Sequence, residues 1–498
     1  MGVMRIACCA CLALLGSLVL GAPASADSVL VMGKDGHVRE REDGFLAPTA
    51  MPKPRHRQGR AKAVARTARK SKKRRTVVRG LRRLYRADRI TFEQYAAHRA
   101  AFVDFRRSTR RFSGVRATQM RAVLETVEAI AARRQLTPSR LAPLWLTMAR
   151  NREWWNEGPL LASGRRVEFE GSELVWQYYP GQGLQLQMLG NFGKLNGLWG
   201  AREDDRLAFM LDELLPLAAE RAGGVAWEYY FSFGGGRPPW VSGLAQGTAV
   251  QALARAARRL DREADVLPVA AEALEIFRHR TPRGVRVPAE DGDHYAIYSF
   301  APDLRVLNGF IQALVGLHDY ARLSGDPRGT ERFEAAEPQA RREVPQFDTG
   351  AWSLYSRGSS SRESDLGYHD LLTDFLEGLC RRTDGDVYCD TAARFVEYKS
   401  QPPVVEVFPR RLRGGRPGRV RFEVSKISNL ELTITRGGKV VERRPFGVIG
   451  HGRRTFGWDV PRRRGDYTVE LSARDLTGNS AAATAVVEVL KAKRKKRP

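Results

Sequence analysis

The sequence predicts a multidomain chain, mainly α-helical to about residue 400 and all-β beyond it, the β part reading as an immunoglobulin-like sandwich. Three observations predict this. A length of 498 residues predicts two to four domains. From Leu81 to Tyr398, apolar residues recur three and four apart, the spacing of one helix face. Past Lys399 the pattern changes to short runs of β-branched residues, many of them alternating.

At the N-terminus, Arg5 precedes an uncharged, mostly apolar run at 6–20, and Ala24-Ser25-Ala26 offers the small residues of a cleavage site. A signal peptide is therefore expected at 1–26. A run of about 15 residues falls short of the roughly 20 that span a bilayer, and no later stretch is long and apolar enough to do so. Cys8, Cys9 and Cys11 would leave with the signal, which leaves Cys380 and Cys389. In an exported chain these two could close a small disulfide loop across the Asp384-Gly385 turn, or stay as free thiols. No further Cys or paired His stands at zinc spacing, so no metal centre is expected there.

Residues 27–77 are dense in like charge, as in Lys72-Lys73-Arg74-Arg75, and read as a disordered basic arm. Such an arm is either a solvated linker or a contact for a polyanion. Residues 78–160 read as a helical hairpin or bundle: Met120, Val123, Leu124, Val127 and Ile130 mark one apolar face. From 161 to 400, amphipathic helices alternate with loops rich in glycine and aromatic residues. Within 401–490, segments such as Val420-Arg421-Phe422-Glu423-Val424 and Leu430-Glu431-Leu432-Thr433-Ile434 read as strands, and Gly437-Gly438 as a hairpin turn. A basic tail, 491–498, follows.

The formal charge of +27 favours polyanionic partners. Export and the lack of a zinc-finger or RNA-binding motif argue against nucleic acid. An acidic polysaccharide or another polyanion of the cell envelope is expected instead, with the protein secreted or held in the envelope.

Three segments carry the functional reading. They are Pro239-Trp240-Val241-Ser242-Gly243-Leu244-Ala245-Gln246-Gly247; Val306-Leu307-Asn308-Gly309-Phe310; and Phe347-Asp348-Thr349-Gly350 followed by Tyr355 and Tyr368-His369. In this order they resemble the conserved blocks in the C-terminal domain of the D-glucuronyl C5-epimerases, over about 165–400. The resemblance implies an α/α toroid for 161–400 and inversion at C5 of glucuronate units inside a polysaccharide. That chemistry takes a proton from one face of the sugar, returns one to the other, and stabilises the charge that grows on the adjoining carboxylate.

Carried over residue by residue, the resemblance implies Tyr298, Tyr355 and Tyr368 as catalytic tyrosines, expected to converge on one cleft. It implies Asn308 and His369 as substrate contacts and Arg357, one position out of the family's register, as the carboxylate-binding arginine. Trp240, Gln246 and Tyr179 (in Trp176-Gln177-Tyr178-Tyr179-Pro180) line the sugar groove or pack as scaffold. Ile297 departs from the pattern, because the family has a glutamate there. Either Glu290, Asp291 or Asp293 replaces it in space, or the activity is altered or absent. Elimination by a polysaccharide lyase and non-catalytic binding of acidic glycans stay open as alternatives. No segment suggests a nucleotide, flavin or haem cofactor, and the acidic run 290–293 could hold a calcium ion.

Overall fold

The computed structural model describes residues 28–45, 76–383 and 385–491. The expected signal at 1–26, the lysine- and arginine-rich part of the expected arm, Asp384 and the tail past Lys491 lie outside the described residues. The chain divides into two units, one of Met1–Pro302 and Gly309–Gln339, the other of Asp303–Asn308 and Ala340–Pro498.

The first unit opens with a correction. Residues 28–45 do not belong to a disordered arm, because Ser28–Met32 and Val38–Glu42 form an antiparallel hairpin. Ser28–Met32 also pairs in parallel with Arg166–Phe169, and the sheet continues through Trp176–Tyr179 and Gly183–Leu186. Burial of Val29 and Met32 anchors the hairpin. Charge anchors it too: the fully buried Lys194 Nζ lies 2.7 Å from Glu168, 2.7 Å from Glu173 and 3.4 Å from Asp43. A buried ammonium is tolerated only when paired in this way.

Four helices follow, Val77–Arg86, Phe92–Ser108, Gly114–Ala132 and Pro138–Glu157. The second starts with a reciprocal cap between Thr91 and Gln94, and the fourth has Pro138 in its first turn, where a missing N–H costs nothing. Further on, Gly243–Arg259 is buried along most of its length. It meets the helix Leu307–Ser324 through Gly247 and Gly316; a Cβ on Gly316 would stand 2.0 Å from the Gly247 carbonyl oxygen. The glycine of the Gly-Leu-Ala-Gln-Gly segment therefore serves close helix packing.

In the second unit, Leu304–Val306 pairs antiparallel with Leu354–Gly358, which pairs with Arg362–Glu363. Two helices follow, Leu366–Thr383 and Asp386–Tyr398, joined by a Cys380–Cys389 disulfide with its Cα atoms 5.1 Å apart. Beyond them lie two sheets. One orders Val405–Phe408, Pro417–Val424 and Gly452–Asp459. The other orders Arg410–Arg413, Ser480–Leu490, Gly465–Asp475, Ser428–Arg436 and Lys439–Ile449, with its first pair parallel. Alternating residues of both sheets, among them Phe422, Trp458, Leu432 and Leu471, share one core. Lys426, almost fully buried, ties this β part to the helices: Nζ lies 2.6 Å from Asp475 and donates to the Tyr398 carbonyl at 2.8 Å. Among the described residues no helix is long and apolar enough to cross a membrane.

Candidate active site

The Asp-Thr-Gly segment builds the turn that leads into the strand Leu354–Gly358. Asp348 accepts from the Gly350 N–H at 2.8 Å and pairs with Arg394 at 2.9 Å and the Tyr398 hydroxyl at 3.0 Å. Gly350 has a φ of +81°, a left-handed conformation that suits glycine. Asp348 is thus a brace, and the strand it sets up carries Tyr355 and Arg357.

Tyr355 and Tyr368 come together, their ring centroids 4.5 Å apart. Tyr368 sits in the first turn of its helix, where Asp365 Oδ1 accepts from its N–H at 2.9 Å. The Arg362 guanidinium stands 4.5 Å over the Tyr355 ring. Burial pushes the Tyr368 phenol well above its ordinary value, Tyr355 and Asp365 raise it further, and Arg362 opposes them. The Tyr368 phenol is therefore protonated at neutral pH. Arg357 stands on the same strand as Tyr355, with Nη1 donating to the backbone carbonyl and side-chain oxygen of Gln346 at 2.9 and 2.8 Å. Its remaining N–H groups retain the fork that a carboxylate needs. Asn308 is 4% exposed, in the first turn of Leu307–Ser324.

His369, implied as a substrate contact, is held tightly within the fold. It is fully buried and stacks on Trp352 at 3.7 Å. Nε2 meets the Phe395 carbonyl at 2.8 Å and Nδ1 meets the Ser353 hydroxyl at 2.8 Å. A carbonyl can only accept, so Nε2 carries the proton. Burial lowers its pKa to about 4, which keeps the ring neutral.

The remaining candidates lie in the first unit. Tyr298 stacks on Phe300 with centroids 5.4 Å apart and meets Trp240 edge-on at 5.7 Å and Phe233 at 5.5 Å. Trp240 is 1% exposed, lies against Tyr229 at 4.2 Å and donates Nε1–H to the Phe231 carbonyl. Gln246 is fully buried, accepts from the Trp227 N–H at 3.3 Å and donates to its carbonyl at 3.0 Å. The polar groups of Trp240 and Gln246 are thus committed within the fold. Tyr179 is half-buried, stacks on Phe231 at 4.4 Å and donates to Gln177 at 3.0 Å; burial raises its phenol.

Ile297 is buried, its Cδ1 within 3.2 Å of the place a Cβ on Gly309 would take. Of the acidic residues offered in its stead, Asp293 is held by Arg286 at 2.7 Å, while Glu290 and Asp291 are exposed on a hairpin loop. The run 290–293 does not gather as a calcium site: among the described residues no group of three acidic, His or Cys side chains converges. Arg362 was missed by the sequence reading, although Gly358-Ser359-Ser360-Ser361 is a turn signal that would return the chain beside Tyr355.

Residues 222–397 match the family model of the D-glucuronyl C5-epimerase C-terminus. The match encloses every candidate above except Tyr179, so this segment is similar, at family level, to epimerases that act on carbohydrate. A D-glucuronyl C5-epimerase of Caenorhabditis elegans is 27% identical over 179 residues, 32% of this chain and 29% of the relative. The chain thus spans less than a third of the length of that curated relative. Among solved structures, a cellobiose 2-epimerase from Bacillus thermoamylovorans B4167 overlaps 57% of this chain and 75% of its own, with a TM-score of 0.34 and 10% identity. An engineered protein overlaps 50% and 47%, with a TM-score of 0.16 and 14% identity. Overlaps this loose carry no argument.

Proposed function

We propose that this protein is an isomerase that inverts C5 of glucuronate units within an acidic polysaccharide. The observation that carries the reading is the Tyr355–Tyr368 pair, set beside Arg362 and Arg357 inside the matched segment. Removing the C5 proton leaves negative charge delocalised onto the neighbouring carboxylate, where Arg357 would grip it. Tyr355, as the phenolate that the Arg362 cation favours, takes the C5 proton, and Tyr368, held protonated, returns one. Tyr298 is the third proposed catalytic residue and rests on its motif. Asn308 holds the sugar by hydrogen bonding, and Tyr179 offers a ring to it.

In the same reading, 161–400 is an α/α toroid and 401–490 an immunoglobulin-like sandwich. A signal peptide exports the protein to the envelope or beyond, and its net charge draws it to acidic glycans. Ile297 favours a second outcome. With Ile297 in place of the family's glutamate, the C5 anion could instead expel its C4 substituent, as in a lyase. Incubating the full chain with a glucuronate polysaccharide and taking proton spectra of the product distinguishes these. New iduronate signals support the epimerase, chain-end double bonds the lyase, and an unchanged polymer leaves a glycan binder.

A further inference from the structure

The cross-strand register puts Arg305 directly opposite Arg357. Side chains so paired stand on one face of the sheet, about 5 Å apart at Cβ, where like charges repel. Arg357 has Gln346 as a partner. Arg305 Nη1 is buried and meets no hydrogen-bond partner among the described residues. A buried donor without an acceptor is costly, and a second guanidinium beside it adds to the cost. Three residues on, the Asn308 Oδ1 is likewise buried with no hydrogen-bond partner among the described residues. One short segment therefore holds a cationic donor and a neutral acceptor, both unanswered. An acidic sugar carries both complements, a carboxylate for the first and a hydroxyl for the second.

We propose that Arg305 is a carboxylate-binding residue, acting with Arg357 as a two-arginine grip on the uronate group. The assignment deepens the epimerase reading and rests on it for the identity of the sugar. A planar guanidinium matches a carboxylate with two parallel bonds. A bound anion would turn the repulsion between the two arginines into a shared attraction, so the free protein bears a cost that the ligand removes.

Arg305→Gln keeps donors on a polar side chain and removes the charge. Binding of a short, unsulfated glucuronate oligosaccharide and of its carboxyl-reduced counterpart is measured by calorimetry at physiological ionic strength. The parent should prefer the uronate form. Arg305→Gln should weaken that binding by about tenfold or more and leave the reduced sugar unchanged. Without ligand, the variant should melt at or above the parent, since one of two facing cations is gone. Arg305→Lys, which keeps the charge without the fork, should retain part of the preference.

Parent-level uronate affinity in Arg305→Gln overturns the proposal, as does a parent that binds both sugars equally. An unliganded variant that melts lower and loses both sugars alike marks Arg305 as structural, which also overturns it. Proton exchange at C5, followed in the parent alone, keeps the two readings apart. Its absence sinks the epimerase reading, while a charge-selective loss in Arg305→Gln still establishes the carboxylate site.

Discussion

Tyr298 and Tyr355 are equally buried and stand in very different company. Around Tyr298 the neighbours are rings: Phe300 stacked, Trp240 on edge and Phe233 tilted. Around Tyr355 they are a second phenol and a guanidinium, each 4.5 Å away. Aromatic neighbours hold a ring in place by packing. A neighbouring phenol and a cation suit it to moving a proton, because charge that develops there meets a partner. A tyrosine inside a matched motif is therefore only half an assignment, and its neighbours supply the rest.

The comparison breaks most visibly at Tyr355. Tyr355→Phe keeps the ring and removes the hydroxyl, so turnover should fall by about 10²–10⁴ with KM nearly unchanged. Tyr298→Phe should lose less, about tenfold. Equal losses would give Tyr298 as large a share in the chemistry as Tyr355 and erase the distinction drawn from their neighbours.

Trp240→Ala tests the first cluster as scaffold. Removing a fully buried indole that touches Tyr229, Phe231 and Tyr298 should cost about 3–5 kcal/mol in denaturant unfolding. A variant of parental stability that loses sugar binding would return Trp240 to the groove.

A smaller effect sharpens the reading of His369. Burial holds its pKa at about 4, against 6.5 for a free imidazole. Between those values the unfolded chain binds more protons than the folded one. His369 therefore contributes stability that is fully present above pH 6.5 and is lost as pH falls to about 4, on the order of 3 kcal/mol. Thermal melts should fall through that window, and more shallowly in His369→Gln. An unchanged slope in the variant would mean that His369 is already charged in the fold and free to act.

Much of the architecture was legible because it depends on near neighbours in sequence. Periodicity marked Met120, Val123, Val127 and Ile130, all buried on one helix, and alternation marked Leu430, Leu432 and Ile434, all buried on one strand. The hairpin at 28–42 was not legible, because its apolar Ser28-Val29-Leu30-Val31-Met32 run was averaged into a long basic window, and its anchors, Glu168 and Lys194, lie far along the chain. The commitments of Gln246 to Trp227 and of His369 to Ser353 and Phe395 were hidden for the same reason. Arg362 needed only the strand register, which a bulge between Leu354 and Ser356 shifts.

Proton exchange at C5 tests the central claim most directly. The full chain is incubated with a glucuronate polysaccharide in deuterated water, and deuterium at C5 is followed by NMR and mass spectrometry. The account predicts deuterium at C5 in both gluco- and ido-configured units, accumulating with time and without chain-end double bonds. A polymer that is bound by the protein and keeps its C5 hydrogen throughout would contradict it.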